Sequence, residues 1–244
     1  MSLGEGEKLN IWCANIGWKW HDNWVYRLQR MVAEHCSVPY RFRCISDHDI
    51  PGVECVPFSR EILSTKEHHS EIKNSPHMLM EPNRPQGCWA KVDAWKLAPL
   101  GSYNMILDLD ISIIGDLADL VSEEPAGARD GRHKPDRPHL NGSVIAWKST
   151  PETQAVYPKK IPYVAYPRGE QEYVQNALGG FIPMEGVLSY KMHMTGEQQK
   201  DPAAHGIKIV VFHGVPTPAN GKLNQRFQWL RDSWEGIERI DRKP

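Results

Sequence analysis

The sequence predicts an α/β fold: one domain, residues 1–244, built on a mostly parallel mixed sheet. Two observations carry that prediction. The chain opens strand, helix, strand, which is the start of a βαβ unit and hence of a partly parallel sheet. No stretch along its 244 residues reads as a linker, and a chain of this length can bury roughly 70–75% of the surface it exposes when unfolded.

Leu9 to Ala14 is a short, mostly apolar run ending near Gly17, which suits a first buried strand. From Asp22 to Cys36 the positions Trp24, Leu28, Met31, Val32 and His35 recur at helical spacing, with Asp22 or Asn23 as the cap. Arg41 to Ser46 reads as a second strand and Val53 to Val56 as a third. Residues 59–88 are polar and end in a loop forced by Pro82 and Pro85. Trp89 to Leu97 reads as a helix and Met105 to Ile114 as the strongest strand. A charged loop over 129–141 leads to a strand at Ser143 to Trp147. A helix over Glu170 to Leu178, a late strand over Ile207 to Phe212 and a last helix over Gln225 to Trp234 complete the order.

Composition excludes several function classes. With 24% charged residues and a formal net charge of −1, the chain lacks the basic surplus of a nucleic-acid binder. Its five cysteines are odd in number and form no CxxC pair, so neither a disulfide framework nor a zinc knuckle is expected. Residues 1–8 are polar, carry no hydrophobic signal core, and read as disordered or tag-derived. No apolar run approaches the roughly 18 residues of a membrane span, and a cytoplasmic location is the expectation.

The chemistry centres on two carboxylates. Asp108 and Asp110 are two positions apart in the apolar run Met105 to Ile114. On a strand such residues share a face, roughly 6–7 Å apart, while Met105, Leu107, Leu109 and Ile111 anchor the other face in the core. Two carboxylates set so close among apolar neighbours repel unless something positive lies between them. A hard divalent cation is the natural compensation, and a strand end is where open α/β sheets place their ligands.

The run Ile106-Leu107-Asp108-Leu109-Asp110, leading into Ile113-Ile114-Gly115-Asp116-Leu117, resembles the DxD segment of GT-A fold glycosyltransferases, a Rossmann-like fold. It is most similar to the glycogenin-like and lipopolysaccharide galactosyltransferase-like group. Leu140-Asn141-Gly142-Ser143-Val144, Gly169-Glu170-Gln171-Glu172-Tyr173-Val174 and Val211-Phe212-His213-Gly214-Val215-Pro216 resemble three further segments of that family, in its order.

The resemblance implies transfer of a sugar from a nucleotide-sugar donor, UDP-linked, to an acceptor that is a sugar, lipid or protein, with retention of configuration. Asp108, Asp110 and His213 would ligate Mn²⁺, or Mg²⁺, together with the donor diphosphate. An imidazole among the ligands suits Mn²⁺ better. Lys91 matches a donor-contacting basic position. Asn141, Gly142 and Gln171 match positions near the transferred sugar, with Gln171, and beside it Glu170, at the anomeric carbon. Ala14 and Asn15 would border the base, and Gly214 lies in the late diphosphate segment. Glu170 stands where relatives carry Asp, and Thr217 where they carry a diphosphate-binding Lys, a role open to Lys222 or Lys91. These departures leave the donor open more than the reaction class.

A nucleotidyltransferase or metal-dependent phosphohydrolase also pairs carboxylates with a metal, but the first strand lacks a phosphate-cradling Gly-rich loop. A catalytically decayed nucleotide-sugar-binding protein is the remaining alternative. Trp18, Trp20 and Trp24 read as packing before they read as a stacking platform. His68, His69 and His77 match no ligand spacing, and Lys159-Lys160 reads as an exposed turn.

Overall fold

A computed structural model of the chain describes residues 4, 6–17, 20–58, 87–130, 139–158, 169–212, 217–219 and 221–234. The described elements are, in order, β1 (Leu9–Asn15), α1 (Asn23–His35), β2 (Tyr40–Ser46), β3 (Glu54–Pro57), α2 (Gly87–Ala90), α3 (Asp93–Leu97), β4 (Tyr103–Leu107) and β5 (Ile111–Ile113). Then come β6 (Ala126–Arg129), β7 (Leu140–Lys148), α4 (Pro151–Gln154), α5 (Glu170–Leu178), β8 (Ile182–Pro183), β9 (Val187–Ser189), α6 (Gly196–Lys200), β10 (Ile209–Val211), α7 (Gly221–Arg226) and α8 (Gln228–Trp234).

Seven strands form one sheet in the order β3-β2-β1-β4-β7-β6-β8. β3, β2, β1 and β4 run parallel, β7 runs against both its neighbours, and β8 is parallel to β6. The mostly parallel mixed sheet expected from the sequence is therefore present. A smaller sheet has the order β5-β10-β9, with β10 antiparallel to β5 and parallel to β9.

The large sheet is covered on both faces, which is why its central strands are apolar at nearly every position. Leu9, Ile11 and Cys13 of β1 face Val25, Leu28, Met31 and Val32 of α1. Trp12, between them in the pleat, points the other way, into a cluster with Trp89, Trp95, Trp147 and Val174. Trp95 and Trp147 stack there with ring centroids 4.1 Å apart. Beyond the small sheet a third cluster joins Val210 and Phe212 to Leu230 and Trp234 of α8. Trp20 and Trp24 pack on each other with ring centroids 4.2 Å apart, so packing describes these two tryptophans. None of the five cysteines is in a disulfide, and burial first, then Cys44 beside it, pushes the Cys13 thiol well up.

Several boundaries differ from the sequence expectation. Met105 to Ile114 is not one strand. The chain leaves the large sheet after Leu107, turns through Asp108-Leu109-Asp110, and re-enters the small sheet as β5. The cause is capture of the turn's backbone by partners outside one ladder. Asp108 N–H donates to Ser143 O at 2.8 Å, whereas the Leu109 and Ile111 carbonyls accept from Arg27. Asp108 and Asp110 thus do not share a strand face; both sit on the turn between β4 and β5. The helix expected over Trp89 to Leu97 is broken at Lys91-Val92, and the last helix is broken at Phe227. The late strand shrinks to Ile209–Val211 and belongs to the small sheet. Arg129, Leu140 and Asn141, expected in a loop, lie in β6 and β7. Residues 59–86, with His68, His69 and His77, lie outside the described residues, as do Trp18 and Lys159-Lys160. Among the described residues no helix is long and apolar enough to cross a membrane.

Candidate functional site

In an open α/β sheet ligands bind beyond the carboxyl ends of the parallel strands. Here β1 ends at Asn15, β2 at Ser46 and β4 at Leu107, immediately before Asp108. Because β7 is antiparallel to β4, with Val144 paired to Leu107, its first residues Leu140-Asn141-Gly142 arrive at this same edge. α5 then delivers Glu170 and Gln171 from its first turn. Gly169, with φ +89°, makes the bend into that helix in a region that glycine adopts readily.

Lys91 draws these pieces together. It occupies the break between α2 and α3 and is 7% exposed. Its Nζ lies 2.8 Å from Asp108 Oδ1, 2.8 Å from Gly142 O and 2.8 Å from Glu170 Oε1. An ammonium has three N–H groups, and these acceptors use all of them. Burial opposes the charge, but Asp108 and Glu170 outweigh it and hold Lys91 protonated above the ordinary lysine range. Lys91 in this arrangement is committed to Asp108, Glu170 and the Gly142 carbonyl.

The remaining expected residues fall around this core. Gln171 Oε1 accepts from Gly142 N–H at 3.3 Å, and Asn141 Oδ1 accepts from Ser143 N–H at 2.9 Å. Asp108 keeps 27% of its side chain exposed and Asp110 is half-buried. At the end of β1, Ala14 is half-buried, while Asn15 is fully buried and donates to Asp22 Oδ1 at 3.0 Å. Asn15 Oδ1 is buried with no partner among the described residues. His213, Gly214 and the side chain of Lys222 lie outside the described residues.

Three features escaped the sequence reading. His48, past the end of β2, lies 2.8 Å from Asp22 Oδ1 and 3.0 Å from Asp47 Oδ1. Bonds to Asp47 and then Asp22 raise its imidazole above the usual histidine range. Cys88 lies against Glu170; burial first, then that carboxylate's charge, pushes its thiol well up. Arg27 is 3% exposed on the inner face of α1. Burial lowers it well below the usual guanidinium range, while Asp110 acts in the opposite sense. A cation among the apolar positions of an amphipathic helix was the available signal for Arg27; His48 and Cys88 carried none.

The metal expectation can be tested against the donor set. Asp108 and Asp110 present two hard oxygen donors on one turn, the carboxylate count with which Mg²⁺-type ions bind substrate phosphates. The set therefore has the chemistry for a hard cation whose remaining ligands come from elsewhere. Among the described residues no group of three or more His, Cys, Asp or Glu could hold a metal alone.

No protein-family model matches the chain, and no curated protein matches it in sequence. Solved structures do. A variant of LgtC with an active-site glutamine changed to glutamate superposes with a TM-score of 0.55 at 12% identity, covering 94% of this chain and 98% of that one. The galactosyltransferase LgtC with donor and acceptor sugar analogues gives 0.51 at 14% identity, over 94% and 98%. The glycosyltransferase GlyE of Streptococcus pneumoniae TIGR4 gives 0.53 at 12% identity, over 92% of this chain and 60% of its own. With the seven-stranded sheet and its crossovers already in view, these superpositions establish that the chain has the GT-A glycosyltransferase fold.

Proposed function

We propose that the protein is a metal-dependent glycosyltransferase that moves a sugar from a UDP-sugar to an acceptor with retention of configuration. The observation that carries this reading is the convergence of Asp108, Lys91, Gly142 and Glu170 at the carboxyl edge of the sheet, in a fold shared with sugar-transferring enzymes. Asp108 and Asp110 would hold the cation, Mn²⁺ or Mg²⁺, with His213 as the third protein ligand. The register supports His213, since Val211 pairs with Ile111, the neighbour of Asp110, two residues before it in sequence. A cation bound there supplies Lewis-acid stabilisation of the departing diphosphate.

The chain's own residues do the rest. Lys91 pairs with both Asp108 and Glu170, so one buried ammonium offsets the charge of two carboxylates. Gln171 and Glu170 border the anomeric carbon as it becomes cation-like. Glu170 Oε1 is already paired with Lys91, which disfavours its use as the acceptor's base and so favours retention. Asn141 and Gly142 line the sugar, Ala14 and Asn15 the base, and Gly214 with Lys222 the diphosphate.

The test is release of free UDP from a panel of nucleotide sugars with Mn²⁺ and candidate acceptors. Turnover of a UDP-sugar is expected, with a loss of about 100-fold or more in Asp110→Asn, at least the loss caused by altering even outer-shell metal partners. Turnover that persists undiminished in chelator, or in Asp110→Asn, would sink the metal assignment. Binding without turnover would turn the reading to a sugar-nucleotide binder.

A further inference from the structure

The turn that carries Asp110 is held from beneath by a side chain on another element. Arg27 Nη2 donates to Leu109 O at 2.5 Å and its Nη1 to Ile111 O at 3.2 Å. One planar guanidinium thereby fixes the peptide entering Asp110 and the peptide leaving Ile111, so little backbone freedom remains between them. The guanidinium is itself caged. The Trp234 ring covers it with 2.9 Å between Cζ and the ring centroid, and Trp24 stands at 5.6 Å. Trp234 also donates from Nε1 to Ser112 Oγ at 2.8 Å, holding the exit of the turn from the side of α8. Buried carbonyls need donors, and an apolar residue at position 27 would leave two without one.

We propose that Arg27 is a positioning residue: it fixes the turn in the conformation from which the Asp110 carboxylate meets a divalent cation. This rests on the proposed role of Asp110 as a metal ligand. It assigns to Arg27 no contact with substrate; the guanidinium holds the turn through the Leu109 and Ile111 carbonyls, with its charge close enough to be felt by Asp110.

Arg27→Met keeps an unbranched, flexible side chain, though a shorter one, and removes both donors, while Arg27→Lys retains the charge and can serve one carbonyl. Two readouts are compared in wild type and both variants. Hydrogen–deuterium exchange in the peptide over residues 107–113 of the metal-free protein is expected to be about tenfold faster or more in Arg27→Met. Mn²⁺ affinity in the presence of UDP, read from the electron paramagnetic resonance signal of free Mn²⁺, is expected to fall about 10- to 100-fold, with partial recovery in Arg27→Lys. A purely structural role would lower the melting temperature without changing Mn²⁺ affinity in the folded variant. Unchanged exchange in that peptide, or native Mn²⁺ affinity in folded Arg27→Met, overturns the inference. A wild type that binds no Mn²⁺ with UDP sinks the metal reading itself, whereas binding that survives in Arg27→Met sinks only the role of Arg27. If Arg27→Met fails to fold, Arg27→Lys decides by the same two readouts.

Discussion

A Cβ built on Gly142 would lie 2.6 Å from Glu170 Oε1, 3.3 Å from Gln171 Cβ and 3.3 Å from Lys91 Nζ. The first distance is too short for any real contact, and Glu170 is held in place by its pairing with Lys91. Gly142→Ala is therefore expected to push Glu170 off Lys91, costing about 1–3 kcal/mol as overpacking of a tight site does. UDP-sugar turnover should fall further than the melting temperature suggests; a variant with unchanged melting and turnover would show the site to be looser than its distances imply. That Asp108, Lys91, Glu170, Gln171 and Gly142 lie together could be expected from the sequence, because they fall in short segments that resemble a known family. Arg27 was not, since its role depends on two carbonyls more than eighty positions away in the chain. The shared strand face argued for Asp108 and Asp110 was wrong for a related reason. Nothing in Leu107 to Ile111 is a glycine or proline, so the turn left no local mark.

Elements whose apolar pattern matches their own burial were legible. α1 spans Asn23–His35 against an expected Asp22 to Cys36, and α5 spans the expected Glu170 to Leu178. Short edge pieces such as β8, with two residues, and β9, with three, carry too little pattern to be seen. At this scale the ends of β1 and β2 are tied by a small network. Asp22 takes bonds from Asn15 at 3.0 Å and from His48 at 2.8 Å instead of capping α1, and Asp47 accepts from Gly17 N–H at 3.0 Å. His48 is raised in the folded state by Asp47 and Asp22. A raised group contributes stability that is fully present below its unfolded value, about 6.5, and lost as pH rises through the folded value. Wild-type melting temperature should thus fall more between pH 6 and pH 8.5 than that of His48→Gln. Parallel melting curves for the two proteins would show that the network carries no such linkage. His48 is well exposed, at 41% of its side chain, so the difference is expected to be small.

For the molecule as a whole, the fold class, the parallel core and the order of the principal elements were predictable, because a βαβ start and two-sided burial leave a strong imprint on composition. The division into two sheets was not, since it arises where β5 pairs with β10 from far along the chain. A whole-protein experiment follows from the charge arrangement. Without a cation, Asp108 and Asp110 oppose an anionic diphosphate, so UDP with Mn²⁺ should raise the melting temperature clearly and UDP with a chelator hardly at all. Equal shifts in both would place the diphosphate elsewhere. The two-sheet division has a mechanical consequence as well. Asp108 is anchored to β7 of the large sheet through Ser143, while Asp110 opens directly into β5 of the small one. The carboxylate pair therefore straddles a seam, and its span is a gauge of how the two sheets are seated. On the proposed metal role, packing changes remote from any ligand, at Val210 in the small sheet or Leu230 packed against it, should retune cation affinity by resetting that gauge, much as a screw in the frame of a caliper changes its reading without touching the jaws.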